Sequence, residues 1–394
     1  MTGFAPFATP APIDRWVDRE CAANRLSGGV IELRQRGETV YARCFGTASD
    51  AGDPVTPDTV YWIASMTKPV VSAAALRLIE DGRLMLGDPL AAFVPGFGAA
   101  GVLTAAGGLV PAERPATVLD AMTHRSGVTY GAFGAAAIHA RYGAAGVYDF
   151  ANDNATMAAR LAALPLLHQP GRVFEYGMST DLLGRVIEVV TGQPLEDALR
   201  ALVLAPLGMA DTRFRPDPAR LAALPPSPTQ QALAPPFTAD QRWCSGGGGL
   251  TSTVADYLRF AEMLRGGGAF QGIRVLRPQT VALMLRDHLP ADVGHGPYTA
   301  ALGITAPWDD NGLGFGLGVA VRTARRPHLP GGLGEFFWPG VSGANFWVDP
   351  EQELTAILLT HAPEHRGQQR VGFRSAVYAA LGRWNEELGE ENEI

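Results

Sequence analysis

Lys68 is the only lysine among the 32 basic residues of the chain, and it stands three places after a serine in the run Ala64-Ser65-Met66-Thr67-Lys68-Pro69. An i, i+3 spacing on a helix puts two side chains on one face, about 5–6 Å apart at Cβ, so a hydroxyl and an amine there can meet. A serine hydroxyl is a poor nucleophile until a base takes its proton, and an amine can do so. Guanidinium cannot, because it stays protonated in proteins. A chain that uses arginine for every other cation and keeps one lysine beside a serine therefore reads as holding a nucleophile, Ser65, and its base, Lys68. With 11 serines in 394 residues, chance would place a serine three positions before the single lysine only about 3% of the time. Met66 and Val70 add an apolar surround, and a helix starting here favours negative charge developing at Ser65. Pro69 suits a first helical turn, whose N–H groups have no intrahelical partner.

For that pair to act, a helix must begin at about Ser65. The run from Val70 provides it and stops at Gly82, a C′ glycine. Upstream, Gly29 to Gly46 reads as two β-strands joined near Arg36-Gly37. Helical segments separated by Gly/Pro loops occupy roughly 85–235, including Asp181 to Gly192. Strand-like runs return at Phe315 to Val321, Asn345 to Asp349 and Glu353 to Thr360, and a last helix is expected over Gln368 to Leu388. Strands at both ends with helices between them predict a sheet assembled from the two termini and carrying an inserted helical lobe. The expected division is 1–84 with 240–394 for the sheet domain and 85–239 for the lobe, with the active site in the cleft between them. The Pro-rich segment Arg215 to Phe237 reads as a long surface loop, and with the irregular 286–312 it is expected to shape the pocket. Gly101 to Pro115 reads as a short hairpin or loop.

Composition narrows the partners. The formal charge is −7 and no arginine run is interleaved with aromatics, which argues against nucleic acid. No run of about 18 apolar residues suggests a membrane span. The start, Met1 to Trp16, lacks a basic opening followed by an apolar stretch, so a secretory signal is not expected and a cytoplasmic location is. Cys21, Cys44 and Cys244 are odd in number and widely spaced, which argues against a disulfide framework or a zinc cluster. They read as small buried hydrophobes.

Five segments together carry a family resemblance: Ala64 to Pro69, Glu175 to Leu195, Pro206 to Thr212, Gly246 to Leu264 and Trp338 to Pro350. The chain resembles the serine β-lactamase and penicillin-binding-protein superfamily, its class C-like branch, and within that the family VIII carboxylesterases, from about Ala22 to the last helix. The resemblance implies an α+β, β-lactamase-like fold with a central antiparallel sheet. It implies a catalytic tyrosine in a second motif, where Tyr176 stands, relaying protons between nucleophile and leaving group. That motif continues in the family with a polar residue and asparagine; here Gly177 and Met178 follow, so the asparagine's amide contact to substrate is not carried over. The third family motif is Lys-Thr-Gly in the peptidases and β-lactamases. Trp338-Pro339-Gly340 takes its place, resembling the Trp-Gly-Gly of the esterases. An indole offers an apolar wall and one N–H but no cation for a substrate carboxylate, so Trp338 and Gly340 are expected to bind neutral esters. By the same resemblance the backbone N–H groups of Ser65 and Val341 form an oxyanion hole.

Other signals weigh less. No G-x-S-x-G is present, and Gly246 to Gly249 is no phosphate loop because no lysine follows it. His361 and His365 have i, i+4 spacing, but Pro363 opposes a helix there and no metal is expected. His124 to Gly127 resembles the family's T-S-G turn and reads as structural, bordering the cleft. Asp181 reads as a helix first-turn acid that could also support the site. The expectation is a serine carboxylesterase that cleaves small to medium esters through an acyl-Ser65 intermediate and needs no cofactor. A β-lactamase or D,D-peptidase, an acyltransferase using the same acyl-enzyme, and a non-catalytic binding relative stay open. Oligomeric state is open too.

Overall fold

A computed structural model of the chain describes residues 4–131 and 137–384. Its frame is a seven-stranded antiparallel sheet. The strands are β1 (Gly28–Gln35), β2 (Glu38–Gly46), β3 (Leu313–Phe315), β4 (Ala320–Arg322), β5 (Phe336–Phe337), β6 (Asn345–Asp349) and β7 (Leu354–Thr360), in the spatial order β3-β4-β5-β6-β7-β1-β2. The two ends of the chain meet at the β1–β7 pair, where Ile31 faces Leu358 and Leu33 faces Ala356. Every residue of β6 and β7 is buried, as expected of strands covered on both faces.

One face is covered by α1 (Ala11–Ala22) and the C-terminal helix, which runs Arg366–Ala380. Phe373 of that helix sits 5.2 Å from the Trp347 ring and 5.4 Å from that of Trp16. On the other face the helix Val254–Arg265 lays Tyr257 against Phe346, 4.9 Å between centroids. Glu335 is fully buried under the C-terminal helix, where it accepts from Arg374 at 2.7 Å and Tyr378 at 3.2 Å. Burial alone would raise its pKa, but Arg374 and Arg322 hold the carboxyl below the usual range.

The helix after Ser65 runs Thr67–Glu80 and is buried on nearly all sides, as its run of Val, Ala and Leu dictates. It stops at Gly82, whose φ of +69° is the left-handed conformation glycine adopts most readily. Two elements differ from expectation. Phe315 to Val321 is not one strand: Gly316 to Val319 turn back between β3 and β4, and Gly318 (φ +89°) lies so close to Ser72 that a Cβ would be 2.2 Å from its hydroxyl. The last helix begins at Arg366, two residues early, and ends at Ala380; its expected end at Leu388 lies outside the described residues. The hairpin at 101–115 forms from Gly101–Leu103 and Leu109–Pro111. The 215–237 loop contains a helix, Pro228–Leu233, capped by the Ser227 hydroxyl. No helix among the described residues is long and apolar enough to cross a membrane.

Candidate active site

Ser65 sits in a single 3-10 turn, Ala64–Met66, immediately before the buried helix. Ala64 has φ +46°, a left-handed conformation that costs a non-glycine residue about 1 kcal/mol or more and persists only where the surroundings enforce it. Those surroundings are specific. Ile63 N–H donates to Leu250 O at 3.1 Å, Leu250 N–H donates to Thr67 Oγ1 at 3.1 Å, and Tyr257 OH donates to Met66 O at 2.8 Å. Trp62 donates through its ring N–H to Gly248 O at 2.6 Å and through its backbone N–H to His361 Nε2 at 2.9 Å.

The structure brings Ser65, Lys68 and Tyr176 together. Lys68 Nζ lies 3.2 Å from Ser65 Oγ, and the Tyr176 hydroxyl lies 2.7 Å from the same oxygen. Lys68 is wholly buried and has two further partners, Tyr130 OH at 3.0 Å and Gly247 O at 2.6 Å. As an ammonium it donates to all three. As a neutral amine it still has two N–H donors for Gly247 and Tyr130, leaving its lone pair for the Ser65 hydroxyl proton. The arrangement therefore accommodates the amine before and after it takes a proton.

Gly247 is held in turn by Asp181. Oδ1 of this buried acid accepts from Ser245 Oγ at 2.6 Å and from Gly247 N at 3.1 Å. Burial raises the Asp181 pKa against these hydrogen bonds and the charge of Lys68. A Cβ on Gly247 would lie 2.4 Å from Asp181 Oδ2, closer than any real contact, so the loop reaches Lys68 only because this residue is glycine. Gly247→Ala is expected to displace the carbonyl and lower kcat by on the order of 10- to 100-fold with folding retained, measured as ester turnover beside a thermal melt.

Tyr176 is oriented from behind. Trp338 Nε1 donates to its hydroxyl at 3.1 Å, Lys68 Nζ stands 4.7 Å from its ring centroid, and the His124 ring lies 4.8 Å away. Burial and the nearby Lys68 lower the His124 pKa well below its ordinary value, so the imidazole stays neutral; its Nδ1 accepts from Gly177 N at 3.4 Å, a structural role at the cleft border. Gly177 is required because a Cβ would lie 2.6 Å from Thr129 Cα. Met178, at the family's asparagine position, is buried in the core and offers nothing to a substrate.

The cleft above Ser65 is narrow, with a cavity volume of about 40 Å³, and is walled mainly by Trp62, Tyr130, Tyr148, Leu233, Tyr298 and Val341. Leu233 and Tyr298 come from the two segments expected to shape it. The expected roles of Trp338 and Gly340 need correction. Trp338 is only 1% exposed and does not line this cleft; its N–H is spent on Tyr176, while Gly340 packs against Ile63, where a Cβ would be 2.5 Å from the carbonyl oxygen. The wall at this point is Val341, on the same cleft as Ser65. Tyr130, Tyr148, Tyr298 and Gly247 were not singled out in the sequence. Gly247 lay inside a run read only as close-packed backbone, and the tyrosines stand in no pattern that marks them.

His361 is a structural residue. Its Nε2 accepts from Trp62, its Nδ1 donates to Ala223 O at 3.1 Å, and burial pushes its pKa down to about 4. A depressed histidine pKa means the unfolded chain binds the proton first. This contribution to stability is full above the ordinary value of 6.5 and is lost as pH falls from there toward 4. Wild type is expected to lose on the order of 3 kcal/mol through this group across that window, and His361→Gln, a neutral donor and acceptor, to flatten the pH dependence of denaturant unfolding by a similar amount. No group of three His, Cys, Asp or Glu side chains able to hold a metal occurs among the described residues. Of the cysteines only Cys244 is buried; Cys44 is exposed on β2 and Cys21 half-buried, because both stand on the outer layer rather than in the core.

Comparison with known proteins gives the family. The beta-lactamase family model matches residues 13–379. Protein Rv1367c of Mycobacterium tuberculosis is 37% identical over 361 residues, covering 87% of this chain and 88% of its own. Esterase EstB of Burkholderia gladioli is 30% identical over 398 residues, covering 94% and 95%. Among solved structures, EstCE1, described as a hydrolase with promiscuous acyltransferase activity, superposes with a TM-score of 0.78 at 26% identity, covering 93% of this chain and 98% of that one. Matched along nearly its whole length by a family model and by relatives at these identities, the chain belongs to the beta-lactamase family of serine hydrolases.

Proposed function

We propose that the protein is a carboxylesterase of the family VIII type, acting on small to medium neutral esters. The observation that carries this reading is the Ser65 hydroxyl held 3.2 Å from Lys68 Nζ and 2.7 Å from Tyr176 OH in a cleft walled mainly by aromatic and apolar side chains. Lys68, acting with Tyr176, takes the Ser65 proton as Oγ bonds to the ester carbonyl carbon. The carbonyl electron pair moves onto oxygen, facing the Ser65 and Val341 N–H groups. When the pair returns, the bond to the alkoxy oxygen breaks, and the alcohol leaves with a proton delivered through Tyr176. Water then adds to the acyl carbon, gives up a proton to the same base, and frees the acid and Ser65. The similarity to Esterase EstB supports this reading. So does Trp338 where the peptidases carry a lysine, since the indole supplies no charge for a carboxylate.

A second reading uses the same intermediate with an alcohol in place of water. It is favoured by the described side activity of EstCE1 and by the aromatic character of the cleft. The deciding experiment offers p-nitrophenyl acetate and butyrate, with and without a primary alcohol, beside a chromogenic cephalosporin. Intact-mass analysis and peptide mapping then locate the acyl group. Ester turnover with the adduct on Ser65 and weak cephalosporin cleavage supports the esterase. New ester outpacing acid supports the transferase, and an adduct absent from Ser65 overturns both.

A further inference from the structure

Arg370, on the C-terminal helix Arg366–Ala380, does not line the cleft, yet its Nη2 donates to the carbonyl of Gly340 at 2.9 Å. That carbonyl and the Val341 N–H are the two ends of one peptide group. Gly340 O also accepts from Gly343 N–H at 3.2 Å, so the turn would keep a partner without Arg370. Burial and the like charge of Arg366 push the Arg370 pKa down to about 10, against a smaller pull from Tyr176 and Tyr298, so the side chain is a cation at neutral pH. No carboxylate among the described residues figures in its surroundings, and its Nε is buried with no partner. Arg370 is half-buried, and a cation drawn even partly out of water with no counter-ion among the described residues carries a desolvation cost. Here its hydrogen bond falls on a peptide whose other end is the Val341 N–H, one of the two donors assigned above to the oxyanion hole.

We propose that Arg370 is a positioning residue that polarises the Gly340–Val341 peptide and so makes the Val341 N–H a stronger donor to the oxyanion formed at Ser65. The inference rests on the oxyanion hole proposed above. Donation to a peptide oxygen draws electron density from the nitrogen, and a low-dielectric surround strengthens the relay. Because the benefit grows with charge on the substrate oxygen, it acts on the transition state more than on bound ester. Arg370 thus takes no part in proton transfer and touches no substrate atom.

The test compares wild type with Arg370→Lys, Arg370→Gln and Arg370→Met on p-nitrophenyl butyrate. It also records the isotope-edited infrared carbonyl stretch of the acyl-Ser65 enzyme made from a carbonyl-labelled ester. Arg370→Met is expected to lose on the order of tenfold in kcat with KM little changed, and to move the acyl carbonyl to higher wavenumber. Arg370→Lys should recover part of both. Arg370→Gln keeps a donor without the charge, holds the fold if the methionine variant does not, and should fall between Met and Lys. A carbonyl stretch that stays in place in every variant overturns the inference, even where turnover falls, because that fall would then be structural. Val341→Pro removes the donor itself. If it leaves both the stretch and kcat unchanged, the oxyanion-hole reading fails along with the role given to Arg370.

Discussion

Ser65→Ala is expected to abolish ester hydrolysis, by on the order of 10⁴-fold or more, while leaving the melting temperature close to wild type. The geometry explains both halves. Ser65 Oγ is the only atom of the lysine–tyrosine pair's shared contact that can bond to carbon, so removing it ends the acyl-enzyme route rather than slowing it. The oxygen also makes no contact that the turn depends on. The 3-10 turn is fixed by Ile63, Thr67 and the Tyr257–Met66 bond, all through other atoms. Alanine leaves Lys68 with Tyr130 and Gly247 as partners. Steady-state turnover with p-nitrophenyl butyrate beside a calorimetric melt checks the expectation. Wild-type rates in the variant would remove Ser65 from the chemistry.

Lys68→Arg should be nearly as damaging, on the order of 10³-fold in kcat, although it keeps the charge. Guanidinium stays protonated and so cannot accept the Ser65 proton. It is also a planar fork, whereas Lys68 meets three acceptors around one nitrogen, at 2.6, 3.0 and 3.2 Å, and is itself wholly shielded from solvent. The diagnostic measurement is kcat and KM for Lys68→Arg and Lys68→Met together. Equal, large losses in the two mean that the lysine acts as a base. Near-wild-type activity in the arginine variant alone would mean that it supplies only charge, and would return the base role to Tyr176.

The candidate site was legible to different depths. Ser65 and Lys68 could be read directly because their relation is local, three residues along one helix, and because a lone lysine in an arginine-rich chain is itself a signal. Tyr176 was reached only through the family resemblance, since its contact with Ser65 spans 111 residues. Tyr130 and Gly247 meet Lys68 across 62 and 179 residues; Tyr130 stands in no recognisable pattern, and Gly247 lies in a segment of the family resemblance that was read only as close-packed backbone. Trp338 was placed in the right neighbourhood with the wrong task, because a motif does not say which face of an indole is covered. The turn at Gly316 to Val319 was missed for a related reason: apolar residues continue through it, and the bend is imposed by the helix packed against Gly318.

Taken by itself, the sequence singled out Ser65 and Lys68 as the candidate nucleophile and base, and determined the strands at both ends of the chain, the helix that begins at about Ser65 and its stop at Gly82. These follow from spacing, periodicity and the conformational freedom of glycine, which act over a few residues. Only the tertiary structure decided which groups complete the lysine's coordination, that Trp338 serves Tyr176 rather than the substrate, and that Arg370 lies behind Val341. Those relations depend on how distant segments pack against one sheet. Which atoms then come within hydrogen-bond distance is set by burial and steric fit across the whole fold, to which no local pattern in the chain corresponds.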